Sequence, residues 1–439
     1  MTSNETRQPA GYDDHNQPDP ALLSDCVHCG FCLPTCPTYV LWGEEMDSPR
    51  GRIYLMDLVH EGAAGFDETL TRHFDSCLGC MACVTSCPSG VQYDKLLTAM
   101  RPQLERNYQR SRTDRWYRRA IFALFPYPRR LRVAAAFGWL YQRIGIQRLL
   151  RDRLSGRLGA AASLLPDVRL RDLVRRGPSR VPAVGKPRRR VALLAGCVQR
   201  VFFGPVNEAT VRVLAAEGCE VLIPEDQGCC GALSEHVGRE EEALIRARNT
   251  IETFRRYDVD DIVVNVAGCG STMKEYGHLL RDDPAWAEAA ENFSSKVKDV
   301  TEVLAELEPR APRHPIHARV AYHDACHLAH AQRVREQPRN LLRGIPGIEL
   351  LDIPDSEICC GSAGVFNLLE PNTAAELGMK KAEDIRSTDP HIISTGNPGC
   401  LLQIGRYISE EISIVHPVEL LDRSIRGEAQ DEIPADLPQ

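Results

Sequence analysis

The chain has 439 residues, 43% of them hydrophobic, and a formal net charge of −7; this is more than one ordinary core and predicts two or three domains. Its 17 cysteines far exceed what packing requires. Residues 1–20 are polar and lack the apolar core of a signal peptide, so the thiols argue for metal binding in the cytoplasm rather than a secreted disulfide framework. No run of about 18 uncharged apolar residues is present to span a membrane.

Residues 1–20 are expected to be a disordered N-terminus. The next segment, 21–100, contains "CVHCGFCLPTCP" from Cys26 and "CLGCMACVTSCP" from Cys77. Both read C-x2-C-x2-C-x3-C-P and recur at an offset of 51 residues. This is the spacing of bacterial two-cluster ferredoxins, in which the fourth cysteine of each run serves the other [4Fe–4S] cubane. A cubane needs one thiolate per iron, and three cysteines in a tight loop reach three corners. The expected ligand sets are Cys26, Cys29, Cys32 and Cys87 for one cluster, and Cys77, Cys80, Cys83 and Cys36 for the second. A pair of zinc knuckles is the competing reading, but zinc favours separated CxxC pairs or histidine ligands. Between the runs, "MDSPRGRIYLMDLV" (46–59) carries a turn signal followed by an amphipathic stretch. Arg50 and Arg52 there stand either near a cluster or as solvated side chains after the turn.

Residues 101–188 form a basic helical linker region. Over 101–153 there are 14 arginines against Glu105, Asp114 and Asp152, a local charge of +11, which leaves −18 for the remainder. Aromatic and apolar residues interleave with the arginines in 115–145, and Pro126 and Pro128 divide the stretch into two helices. Such a pattern suits a membrane surface or an acidic partner, or a linker that packs its apolar side on its own domains. Nucleic acid is disfavoured, since no binding fold accompanies the charge. The Pro- and Arg-rich stretch 175–190 predicts an exposed boundary.

From residue 189 the chain repeats. "RRVALLAGC" (189–197) matches "ARVAYHDAC" (318–326), and the pairs Cys197/Cys326, Cys229/Cys359, Cys230/Cys360 and Cys269/Cys400 lie 129 to 131 residues apart. Short apolar strands alternate with helical stretches in each half, which predicts parallel α/β sheets. The cysteines fall at strand ends, the edge where open sheets place ligands. The expected domains are 189–310 and 311–425, with a tail over 426–439. Adjacent cysteines have Cα atoms about 3.8 Å apart, so their sulfurs address neighbouring irons better than one tetrahedral zinc. Three readings of these eight thiols stand: iron–sulfur ligands, a mixed site using His323 or His327 beside Cys326, and redox-active vicinal disulfides. Cys219, the one left over, reads as a small buried hydrophobe.

The motifs C-x31-CC-x38-C and C-x32-CC-x39-C, each with a glycine after the pair, resemble the cysteine-rich CCG domain. That domain occurs in heterodisulfide reductases, anaerobic glycerol-3-phosphate dehydrogenases, lactate-utilisation proteins and glycolate oxidases. Two ferredoxin motifs followed by two CCG domains most resemble the glycolate oxidase iron–sulfur subunit family, as do "DSPRGRIYLM" and "CCGSAG". The resemblance covers roughly residues 20–425. It implies an α+β multidomain fold: a mostly helical two-cluster ferredoxin domain, then two duplicated α/β domains. It implies two [4Fe–4S] clusters, with a further cluster in the CCG domains as an open question. It also implies an FAD-containing partner that oxidises glycolate to glyoxylate, a second flavoprotein-like subunit, and a quinone-linked acceptor at the cytoplasmic face of the inner membrane. No flavin or nicotinamide motif and no catalytic constellation stands in the sequence, so no catalytic residue is assigned. The alternatives are the equivalent subunit for glycerol-3-phosphate or lactate, and a heterodisulfide-reductase-like enzyme. Against the last, Cys269 and Cys400 lack the following cysteine of its CxxC.

Overall fold

The computed structural model describes residues 11–145, 155–166, 168 and 177–428. Of the expected termini, residues 1–10 and 429–439 lie outside the described residues, as do 146–154, 167 and 169–176 of the linker region. Residues 11–19, expected to be disordered, are instead packed. The Tyr12 hydroxyl donates to the Met56 carbonyl at 2.8 Å, and Asp13 accepts from Gln103 and Arg106. These partners lie 44 to 93 residues away, so local composition carries no sign of them.

The first unit is helical. Ser48 caps the helix Pro49–His60 by accepting from the Gly51 amide, and Pro49 supplies the fixed first-turn φ. Met56 and Val59 from this helix, Phe66 and Phe74 beyond it, and Leu96, Leu97 and Met100 of the helix Tyr93–Asn107 close one core. Burying side chains of this size contributes about 1.5–3 kcal/mol each. That core is the scaffold on which both cysteine runs hang.

Two sheets follow. Strands β1 (Arg180–Val181), β2 (Arg189–Leu193), β3 (Cys219–Leu222), β4 (Asp261–Val264) and β5 (Val297–Asp299) take the order β1-β3-β2-β4-β5. Strands β6 (Ala318–Tyr322), β7 (Ile348–Leu351), β8 (Ile392–Ser394) and β9 (Ser413–Val415) take the order β7-β6-β8-β9. All pairings are parallel except β1 with β3. Thus the expected exposed boundary does more than link: Arg180 and Val181 cover the edge of β3 as an antiparallel strand. Cys219 opens β3 fully buried, as its apolar setting suggests.

The two halves share a core. Val191, Val206 and Val213 of the first pack with Val320, Ile392 and Leu420 of the second. Arg212 clamps Asp422 across the seam with contacts of 2.6 and 2.9 Å. The helices Arg112–Leu124 and Pro128–Arg143 lie over both halves. Ile121 and Phe122 seat against Val365 and Leu368, while Leu131 and Ala135 seat against Val201. The linker therefore does pack one side on its own domains, as one of the two sequence readings had it.

Candidate metal centres

The two cysteine runs of the helical unit share a backbone. In the first, His28 and Gly30 have φ of 55° and 88°; in the second, Gly79 and Met81, at the matching positions, both have φ of 62°. Two left-handed residues between three cysteines fold each loop back so that its thiols converge. At Gly79 a Cβ would stand 3.0 Å from the Arg101 guanidinium.

The fourth cysteines cross over. Cys36, which precedes the helix Pro37–Trp42, lines one cavity with Cys77, Cys80 and Cys83. Cys87 lies beside Cys26, whose thiol is pushed up by burial and by the charges of Cys87 and Cys29. Burial pushes Cys80 and Cys83 well up, and neighbouring thiolates, Cys36 among them, add to it. Burial also raises Cys77, but Arg52 and Arg101 outweigh it and hold that thiol below its ordinary value. Arg52 is 1% exposed. It donates to Ser76, Thr38 and the His73 carbonyl, and its guanidinium stands 3.9 Å from the Cys36 sulfur. It also pairs with buried Asp47 at 3.5 Å, and its field reaches Cys77 and Cys36, which suits an anionic thiolate-bound group. Arg50 instead bonds Glu45 and the His28 carbonyl, which tethers the first loop.

Three further residues at this centre carry no sequence signal that marked them. Arg101 donates to the Cys77 carbonyl at 2.7 Å, Tyr93 Oη stands 3.6 Å from the Cys77 sulfur, and Asp47 accepts from Ser76 and pairs with His73. Arg101 was legible only as one of many linker arginines.

The eight cysteines of the repeat also converge, and on a single cavity. Cys197, Cys229, Cys230 and Cys269 of the first half and Cys326, Cys359, Cys360 and Cys400 of the second all line a space of about 440 Å³. Its roof is apolar and comes from the linker helices, with Ile121, Leu124, Phe125 and Leu131. Each set is a close-packed thiol group. In the first, hydrogen bonds from Cys197 and Cys230 hold Cys229 well below its ordinary value, while those two thiols are raised. In the second, Cys326 and Cys359 sulfurs are 3.9 Å apart and Cys360 is paired with Cys400. Gly231 and Gly361 have φ of 92° and 89°, and a Cβ would stand 3.2 Å from the Ala243 carbonyl or 2.7 Å from that of Ala374. Only glycine turns the chain there while both preceding thiols face inward. Soft donors in this density fit iron–sulfur ligation.

The second half is seated directly on the helical unit. Leu78, Cys80 and Ala82 pack with Ile358, Cys359 and Phe366, and Cys326 adjoins them. The charge of Cys326 acts on Cys80, and that of Cys80 on Cys359. His327 Nε2 stands 2.8 Å from the Gly79 carbonyl and Thr85 Oγ1 stands 2.7 Å from His330 Nδ1. Burial pushes His327 down to about 4, so its ring is neutral and donates through Nε2 to Gly79. The first half meets the helical unit differently, through Lys95–Glu275, Arg106–Glu240 and Thr98–Glu235.

The outer side of the linker helices is open. Trp116 is 71% exposed and Phe137 68%, with Val133, Leu140 and Ile144 beside them. Arg112, Arg115, Arg119, Arg129, Arg130 and Arg143 are exposed on the same helices. The one acid there, Asp114, is held inward by Arg118 and Arg157. No helix among the described residues is long and apolar enough to cross a membrane.

Comparison with known proteins places each region. Residues 22–91 match a 4Fe–4S dicluster domain, 191–274 and 320–405 match a cysteine-rich domain, and 113–165 match the linker region of the glycolate oxidase iron–sulfur subunit. The chain is 38% identical over 417 residues to a probable glycolate oxidase iron–sulfur subunit of Bacillus subtilis, covering 92% of this chain and 94% of that one. It is 35% identical over 413 residues to the glycolate oxidase iron–sulfur subunit of Escherichia coli, covering 93% and 95%. Lactate utilization protein A of Oceanobacillus iheyensis is 30% identical over 243 residues, 54% of this chain and 98% of that one.

Proposed function

The chain belongs to the glycolate oxidase iron–sulfur subunit family, and we propose from that premise that it wires a glycolate-oxidising flavin subunit to a quinone-linked acceptor. The family supports an iron–sulfur electron-transfer subunit of an oxidoreductase complex. In the proposed reaction an FAD-containing partner takes two electrons and two protons from glycolate, giving glyoxylate. A second flavoprotein-like subunit completes the complex, and the electrons leave singly through this chain to reduce a quinone to quinol.

Within the chain, Cys26, Cys29, Cys32 and Cys87 hold one cubane, and Cys77, Cys80, Cys83 and Cys36 the other. The observation that carries the wiring is the seat of Cys80 against Cys326 and Cys359. It brings the loop of the second cubane into contact with the thiols of the second cysteine-rich half, so Cys326, Cys359, Cys360 and Cys400 hold the next iron–sulfur centre. Clusters supply one-electron steps at potentials set by their surroundings. Arg52 and Arg101 stabilise negative charge around Cys77, and the linker helices keep water from the thiol cavity. The exposed aromatic and arginine-rich face of those helices lies on an anionic bilayer surface, where the acceptor resides.

The test is reconstitution of the anaerobically purified full chain with its flavoprotein partners. Glycolate-dependent quinone reduction should need both, and the chain alone should show none. Turnover of glycolate by the chain alone overturns the reading, as does quinone reduction at full rate by the flavoproteins without it.

A further inference from the structure

The two cysteine-rich halves differ at the strand ends beneath their thiols. Register within the sheets equates Leu193 and Val263 of the first half with Tyr322 and Ser394 of the second. One residue on from each, Leu194 corresponds to His323, and Val264 to Thr395. At these strand-end positions the first half sets hydrocarbon under its cysteines. The second sets polar groups, and these are not satisfied: His323 Nδ1, Ser394 Oγ and Thr395 Oγ1 are buried without a hydrogen-bond partner. An orphaned buried polar atom costs about 1–3 kcal/mol, so one that is kept asks for a partner.

For His323 the partner is indicated by position. A nitrogen of its ring and the sulfurs of Cys360 and Cys400 all lie within 4.8 Å of one another. The Cys326 and Cys359 sulfurs form the adjoining pair at 3.9 Å. The His323 side chain is 1% exposed, and its backbone amide is fixed by the Ser394 carbonyl at 2.8 Å. The ring is therefore held against the thiols by the end of β6 and not by a mobile loop.

We propose that His323 is a nitrogen ligand to the iron–sulfur centre of the second half, completing a donor set with Cys326, Cys359, Cys360 and Cys400. The inference rests on the reading above that these thiols hold a cluster. It makes the halves chemically unequal, since Leu194 offers the first half only sulfur ligation. A neutral imidazole leaves the cluster less negative than a thiolate at the same position would, and so holds its potential higher, as histidine does in Rieske centres.

The experiment uses the full chain, purified anaerobically with either natural-abundance or 15N-labelled histidine, and reads nitrogen hyperfine coupling together with iron and sulfide content. The expected result is a strongly coupled histidine nitrogen that changes with the isotope and disappears in His323→Leu. His323→Cys should keep the iron and shift the midpoint potential of that centre downward. If the leucine variant does not fold, the isotope comparison on the unaltered protein still decides. Iron beyond that of two cubanes with no histidine coupling, or coupling that survives His323→Leu, overturns the ligand inference and leaves the cluster standing. Iron limited to two cubanes, or zinc without sulfide in the second half, overturns both.

Discussion

The two cysteine-rich halves carry matching sets of four cysteines, each on its own parallel sheet, yet they are attached to the helical unit by different physics. The second half meets it through a buried apolar seat around Cys80 and Cys359, with His327 bonded to the Gly79 carbonyl. The first half meets it through ion pairs and a polar contact, Lys95–Glu275, Arg106–Glu240 and Thr98–Glu235, and through the close approach of Gly238 to the Arg101–Pro102 backbone. Buried contact fixes distance and excludes water, which a one-electron path needs; partly exposed ion pairs contribute little and are screened by salt. On the proposed wiring, the duplication leaves one copy in the conducting line and the other beside it.

The largest expected effect breaks that comparison at the metal. In the reconstituted complex, Cys359→Ser should slow glycolate-dependent quinone reduction about 100-fold or more, since loss of a ligand exceeds the 10- to 100-fold typical of an outer-shell change. Cys229→Ser in the first half should cost under about tenfold by the same scale. Equal losses would place both halves in the path.

Next comes the backbone. Gly361→Ala forces a Cβ to 2.7 Å from the Ala374 carbonyl, whereas Gly231→Ala meets the Ala243 carbonyl at 3.2 Å. Both also strain a positive φ. The first should destabilise by about 3 kcal/mol and the second by nearer about 1 kcal/mol, the range for such strain. Thermal melts of the two variants, ranked in the opposite order, would contradict the account.

Smaller still is the effect of salt. Raising ionic strength should increase amide exchange around Glu235–Glu240 while leaving the Ile358–Phe366 seat unchanged, because only the first contact is ionic; Lys95→Ala should cost about 0.2–1 kcal/mol. Exchange that rises equally on both sides would show that the second seat is not buried as described.

The smallest effect is in pH. Hydrogen bonding from Arg106 holds Asp13 well below the usual carboxylate range, so this group contributes stability above its unfolded value near 3.9. That contribution is lost as pH falls below about 4 toward the folded value. Asp13 is partly exposed, so screening limits it to under about 1 kcal/mol. Residues 11–19 should exchange faster under mild acid, an effect absent in Asp13→Asn, which should exchange faster at neutral pH as well.

Much of this was legible in the sequence. The two cysteine runs and the 129- to 131-residue register of the repeat follow from spacing alone, because ligand geometry and strand periodicity constrain spacing. The parallel sheets followed from the alternation of strands and helices, and the linker helices from Pro126 and Pro128. What spacing does not carry is long-range contact. Arg101, Tyr93 and Asp47 reach the second cubane loop only through packing, and the ordering of residues 11–19 depends on a helix about 90 residues away. The edge strand at Arg180–Val181 was hidden in a Pro- and Arg-rich stretch, where composition signals exposure but not pairing. That all eight cysteines of the repeat face one cavity is likewise a property of how the halves dock.

The central claim is that the second cysteine-rich half continues the line from the second cubane, and magnetic coupling tests it most directly. In the reduced full chain, EPR should show the cubane of Cys36, Cys77, Cys80 and Cys83 broadened by a neighbouring paramagnetic centre. Cys359→Ser should remove that broadening and leave the cubane of Cys26, Cys29, Cys32 and Cys87 untouched. A spectrum in which Cys359→Ser changes nothing, with iron at about eight per chain as two cubanes require, would contradict the claim.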